Sequence, residues 1–116
     1  MFKLTLLTKE EQKEIIQNII NKKDYHKLKN IYLTPKQKNK LFSHNNYWIK
    51  IALANRKDLT KKQIDMLIND EQKMVRYMVA QREDLTLEQT DKLNKDLSSM
   101  VQIRMISTKL NKEEQI

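Results

Sequence analysis

The side chains best able to do chemistry in this chain are His26, His44, Ser43, Ser98, Ser99, Ser107 and a crowd of lysines. A histidine pair binds a metal or relays a proton only when further ligands stand at fixed spacing. His26 and His44 fall in separate segments, with no HExxH run or paired carboxylates around them. None of the serines has an adjacent base. Glycine is absent, so the chain has neither a phosphate-cradling loop nor a strained nucleophile elbow. Cysteine is absent too, which excludes disulfides, thiolate metal sites and a thiol nucleophile. The sequence therefore predicts a protein that is not an enzyme, with no catalytic residue, no metal and no cofactor.

What remains is charge, and it is unevenly placed. Lys and Arg number 23 against 15 Asp and Glu, for a net charge of +8. Residues 1–58 hold 13 of the cations and 5 of the acids, whereas residues 59–116 hold 10 of each. All of the excess sits in the first half. Lys36, Lys38, Lys40, Lys50, Arg56 and Lys57, with His44, Asn46 and Tyr47 interleaved, are the expected binding surface. Such a surface attracts carboxylates or phosphates. The plain alternative is a lysine-rich helical face that is merely solvated. Between partners, an acidic protein is favoured over nucleic acid, because the cations are mostly Lys and few aromatics are free to stack on bases.

These residues need elements to hold them. At 116 residues the chain fits one domain, residues 1–116. With no Gly and Pro35 as its one proline, it lacks the residues that tight hairpins and left-handed turns draw on. An all-α fold is expected. No apolar run approaches the length of a membrane span, and the N-terminal MFKLTLL is too short for a secretory signal, so a cytoplasmic location is expected.

The chain repeats itself. Leu7, Leu33, Leu59 and Leu85 recur every 26 residues, and a fifth copy starts at Leu110. Each is followed by Thr or Asn, then Glu or Gln three positions later: Thr8 and Glu11, Thr34 and Gln37, Thr60 and Gln63, Thr86 and Gln89, Asn111 and Glu114. That spacing is a capping box, a helix start. Pro35 suits the first helical position of its copy. Apolar residues then recur at helical spacing: Ile15, Ile16 and Ile19; Leu41 and Phe42; Ile64, Leu67 and Ile68; Leu93 and Leu97. After a polar break that Asp70 or Asp96 can cap, a second helix carries Trp48, Ile49, Ala52 and Leu53, then Met74, Val75, Met78 and Val79, then Met100, Val101 and Met105. About four helix–turn–helix units with a terminal fragment follow from this.

On this reading Met66, Met74, Met78, Met100, Met105 and Trp48 belong to the core, and Tyr47 is exposed. The face lined by Met100, Val101 and Met105 is expected to be closed either by a turn at 112–116 or by a second copy of the chain, and Met1–Leu6 to tuck against the first unit. The segment DYHKLKNIY is out of phase with the later second helices.

The stretch IALANRKDLTKKQIDMLINDEQKMVRYMVAQREDLTLEQTDKLNKD resembles the leucine-rich repeat variant family, a HEAT-like group. The resemblance is clearest over residues 48–106. It implies a right-handed α-solenoid of short helices, some of them 3₁₀, used as a binding module such as an adaptor or inhibitor. It also implies an Asp–Arg ladder between units, for which Asp70 and Arg76 match the family spacing while His44 and Lys50, Asp96 and Gln102, and Asn18 and Asp24 do not. Some members of the family adjoin an iron–sulfur domain; without cysteine this chain holds no such cluster.

Overall fold

A computed structural model describes residues 8–114, with side chains through Leu110. All regular structure among them is helical: α1 (Lys9–Lys22), a 3₁₀ segment (Tyr25–Lys29), α2 (Pro35–Phe42), α3 (Tyr47–Ala54), α4 (Lys61–Ile68), α5 (Lys73–Ala80), α6 (Leu87–Asn94) and α7 (Ser99–Glu114). The N-terminal stretch through Leu7, with its expected tuck, lies outside the described residues.

The capping boxes form as the spacing predicts. Thr8, Thr34, Thr60 and Thr86 each accept from the backbone N–H three residues on, and Glu11, Gln37, Gln63 and Gln89 accept the return bond from the threonine N–H. Pro35 opens α2. Asn46 caps α3, and the Asp70 and Asp96 carboxylates accept from the Gln72 and Ser98 amides ahead of α5 and α7. No helix starts at the fifth copy. Asn111 falls inside α7, which runs unbroken to Glu114, because helical Leu110 and its neighbours offer no turn in which a new start can be set.

The second elements of successive units pack in chain order, the 3₁₀ segment on α3, α3 on α5 and α5 on α7. Ile49, Val75 and Val101 occupy one register and are fully buried; Leu53, Val79 and Met105 occupy the next. Leu33 is buried, and Leu59 and Leu85 pack half-buried on the same core.

Several expected core residues point outward. Trp48 is 59 % exposed and Met66 is 51 % exposed. Trp48 is rotated about 100° from Ile49 on α3, away from the stripe that enters the core, and Met74 and Met100 at its register are only half-buried. Met66 lies on the outer side of α4, out of line with inward Ile64, Leu67 and Ile68. Leu97 falls in the turn after α6 and is fully exposed, whereas Tyr47 is half-buried against the core. The face of α7 expected to need a cover is already covered: Val101 and Met105 are buried, and α7 packs on α5 and α6. The apolar residues that α7 leaves open are Ile103, Ile106 and Leu110.

Three sets of polar contacts recur between units. Arg56 donates through Nη1 to the Leu28 and Ile31 carbonyls at 2.6 and 2.8 Å, and its other nitrogens fork onto Asp58 at 2.9 Å. Arg82 repeats this on the Ala54 and Arg56 carbonyls, with Asp84 as its carboxylate. A guanidinium suits the place because the last carbonyls of a helix lack intrahelical partners and favour positive charge.

The second set is a ladder. Lys50 reaches Asp70 at 2.8 Å, and Arg76 reaches Asp96 at 2.8 Å while donating to the Asp70 carbonyl at 2.7 Å. Asp70 and Asp96 side chains are 7 % and 8 % exposed, so these pairs are largely shielded. These pairs run between units, cation of one to acid of the next, so Asp70 and Arg76, six residues apart, are paired to different neighbours, Lys50 and Asp96. Counting along a single unit therefore misses the Lys50 rung.

The third set uses the spare N–H of each capping glutamine: Gln37 to Gln12 at 3.5 Å, Gln63 to Asn39 at 3.3 Å, Gln89 to Asp65 at 2.9 Å. Glu11, in the first unit, has no such donor.

Candidate functional site

The sequence predicts one basic surface, and the structure divides it. Lys38 is 8 % exposed, with its ammonium 2.6 Å from the Asp58 carbonyl. Arg56 is 5 % exposed and spent on the carbonyls and carboxylate above, and Lys50 is held by Asp70. These three are corrections, since each is a structural cation rather than a surface one. Asn46 caps α3 and donates to the Tyr25 hydroxyl at 3.3 Å, and the Tyr47 ring meets Trp48 edge-on at 5.0 Å. Lys57 is exposed beside Glu83 and Asp84, where charges are mixed.

Lys36, Lys40 and His44 are brought together. They line one wall of a groove of about 540 Å³ between α1 and α2. The facing wall carries Lys9 and Lys13, which sequence reasoning missed. Ile16, Ile20 and Leu41 also line it, with Gln12, Gln17, Thr34 and Gln37, and no carboxylate does. Among the described residues, Lys13 has only a 3.9 Å contact with exposed Glu10, and no carboxylate lies within 4.0 Å of Lys9, Lys36, Lys40 or His44. The signal for Lys9 and Lys13 was in the sequence. They recur with Ile16, Gln17 and Ile20 at steps of three and four, one face of a helix.

The groove exists because the two helices do not pack. No Cα of α1 comes within 8 Å of one in α2. Gln12 spans the gap, donating to the Tyr32 carbonyl at 3.4 Å and accepting from Gln37 at 3.5 Å. That bridge sets the N-terminal ends of the helices side by side, so Lys9 and Lys36 share one end of the groove, with Lys13 a turn farther along α1 and Lys40 in the last turn of α2. Both helix N-termini add partial positive charge there. Ile16, Ile20 and Leu41 lie farther along. An arrangement of ammonium groups around an apolar floor, with no carboxylate among the lining residues, suits an anionic, partly apolar ligand.

Elsewhere, the forked contact with Arg56 holds the Asp58 carboxyl below the usual carboxylate range, and Arg82 does the same for Asp84. Among the described residues, no three His, Asp or Glu side chains gather as a metal site, and no helix is long and apolar enough to cross a membrane. No family model matches the chain, and no curated protein or solved structure matches it.

Proposed function

We propose that the chain is a non-enzymatic helical-repeat docking module, its units stacked as a right-handed α-solenoid of the leucine-rich repeat variant kind, that binds an acidic protein through the α1–α2 groove. The stacking is supported by rungs that recur at the 26-residue interval. The dimensions of 43 × 36 × 23 Å also favour it, as does a radius of gyration of 16.1 Å, against about 13 Å for a round domain of this length. Stacked repeats of this kind serve as extended binding platforms.

The observation that carries the docking reading is the groove's composition, four lysines and a histidine over an apolar floor with no acid among its lining residues. An apolar floor is of use to a polypeptide and of little use to a phosphate backbone. The groove also presents no Phe, Tyr or Trp on which a base would stack, His44 being its one ring.

The test is a titration of fluorescent polyglutamate and of duplex DNA at about 50 and 200 mM salt. Polyglutamate binds, and the pair Lys36→Glu with Lys40→Glu weakens it about tenfold or more. Reversing exposed Lys92 and Lys95 leaves it nearly unchanged. Tighter binding of DNA than of polyglutamate, or equal loss from both reversals, overturns the reading.

A further inference from the structure

The geometry points to an amphipathic acidic helix of a partner protein as the occupant of the groove, seated between α1 and α2 where no described element of this chain lies. The inference rests on the docking reading above and goes beyond it by fixing the conformation and orientation of the bound segment.

Both walls have the shape of helix-packing faces. The α1 residues that face the groove run from Lys9 through Gln12, Lys13, Ile16 and Gln17 to Ile20. Those are successive steps of three and four, the contact face that one helix offers to another. The face extends about 16 Å, three turns. On the other side Lys36, Gln37, Lys40, Leu41 and His44 form the matching stripe of α2 and its C-terminal turn. Two such faces therefore look into one space with no described helix between them. Of the equivalent steps later in the chain, α2 and α4 likewise have no Cα pair within 8 Å, while α4 and α6 pack on each other.

Charge and apolarity set the direction of the bound segment. Lys9 and Lys36 stand where α1 and α2 begin, Lys13 lies a turn farther along α1 and Lys40 in the last turn of α2, and the apolar floor lies toward Ile20 and Leu41. A bound helix thus places carboxylates beside Lys9 and Lys36 and apolar anchors over Ile16 and Leu41. An extended acidic strand would satisfy the lysines, but its alternate side chains would leave half of the three-turn floor uncovered. A helix with anchors at i, i+3 or i+4 and i+7 covers it.

The probe is a synthetic peptide of about 12 residues with Leu at those anchor positions and Glu elsewhere, a length that is mostly unfolded alone in water. One control has the same composition with the Leu residues dispersed around the helix, and another has a central proline. The amphipathic peptide is expected to bind about tenfold tighter than either control and to gain helical circular dichroism on binding. Ile16→Ala lowers its affinity about fivefold; because Ile16 also packs half-buried against the core, thermal unfolding of the variant is measured alongside and affinity is read where it is folded.

If all three peptides bind alike, the helix seat is overturned while docking of acidic chains stands. The helix seat also falls, and docking again stands, if none of the peptides binds but polyglutamate does. Failure of every acidic probe removes both readings. Displacement of the bound peptide by single-stranded nucleic acid of equal charge assigns the groove to phosphates instead, and a peptide-blocking dimer in sedimentation assigns it to a second copy.

Discussion

At the C-terminal end α4 and α6 pack directly, and Gln89 donates to the Asp65 carboxylate at 2.9 Å and to the Lys61 carbonyl at 3.2 Å. At the N-terminal end α1 and α2 stand apart, and the equivalent Gln37 reaches Gln12 only at 3.5 Å. Both places use the same capping box, so the box decides where a helix begins and leaves open how close it lies to its neighbour. α2 and α4 likewise have no Cα pair within 8 Å, although full helices, α3 and α5, back them. α4 and α6 are backed by full helices, α5 and α7, whose Val75, Val79 and Val101 are fully buried. α1 is backed by a five-residue 3₁₀ segment that contributes buried Leu28 and half-buried Tyr25 to the core. The direct contact of α4 with α6 belongs to the C-terminal end, and the wider spacing runs through both earlier steps, α1 to α2 and α2 to α4.

The contrast is most severely tested at the rungs that the two ends share. Arg56→Ala leaves the Leu28 and Ile31 carbonyls and the Asp58 carboxylate without their donor, and is expected to cost about 3 kcal/mol in urea unfolding. Arg82→Ala should cost the same, because its contacts are equivalent. If Arg56→Ala proved harmless, the first unit would not be fastened by this rung and the groove's floor would need another support.

Next comes the glutamine pair. Gln89→Glu keeps its capping box but replaces the donor to Asp65 with a second carboxylate, and should cost about 2 kcal/mol. Gln37→Glu loses only a marginal contact and should cost less than about 0.5 kcal/mol. Equal losses would mean that the gap between α1 and α2 is narrower in solution than the structure has it.

How much of this could be read from residues alone depends on whether the signal is local. Helix starts were legible, because Thr-x-x-Gln and Pro35 act within one turn. The core register at Ile49, Val75 and Val101 was legible from its period. Lys38, Lys50 and Arg56 look like surface cations in sequence because their partners are distant along the chain: Asp58 lies at the far end of the unit that holds Lys38, and Asp70 and the Leu28 carbonyl lie in neighbouring units. Trp48 looks like core because a single residue of helix phase separates core from rim. The groove combines both problems. Lys36, Lys40 and His44 are legible from charge density, but Lys9 and Lys13 belong to the facing helix, and only the fold shows that they face the same space.

A smaller effect concerns how α1 ends. Its C-cap, Lys23, is the one non-glycine residue with positive φ among the described residues, at 60°. Holding a side chain there costs about 1 kcal/mol that glycine avoids. Lys23→Gly should therefore raise stability by somewhat less than about 1 kcal/mol, since glycine also loosens the unfolded chain. A loss of stability would show that the Lys23 stem packs on the 3₁₀ segment, and that the first unit is tighter than its sparse core suggests.

The smallest effect is acid sensitivity, and it separates the two ends by their cations. Asp58 and Asp84 are both held below the usual carboxylate range, chiefly by hydrogen bonds from Arg56 and Arg82. A carboxylate whose folded pKa lies below its unfolded one contributes stability that is fully present above about pH 4 and is lost as pH falls through the folded value. Both carboxylates are about half exposed, so solvent screening keeps each contribution below about 1 kcal/mol. Lys38 adds its charge to Arg56 at Asp58, at 3.7 Å, whereas Asp84 in the second fork is held by Arg82. Asp58→Asn should then flatten the stability profile between about pH 4 and pH 2 at least as much as Asp84→Asn does. The reverse order would indicate that buried Lys38 is held by the Asp58 carbonyl alone, and that its charge does little for the carboxylate beside it.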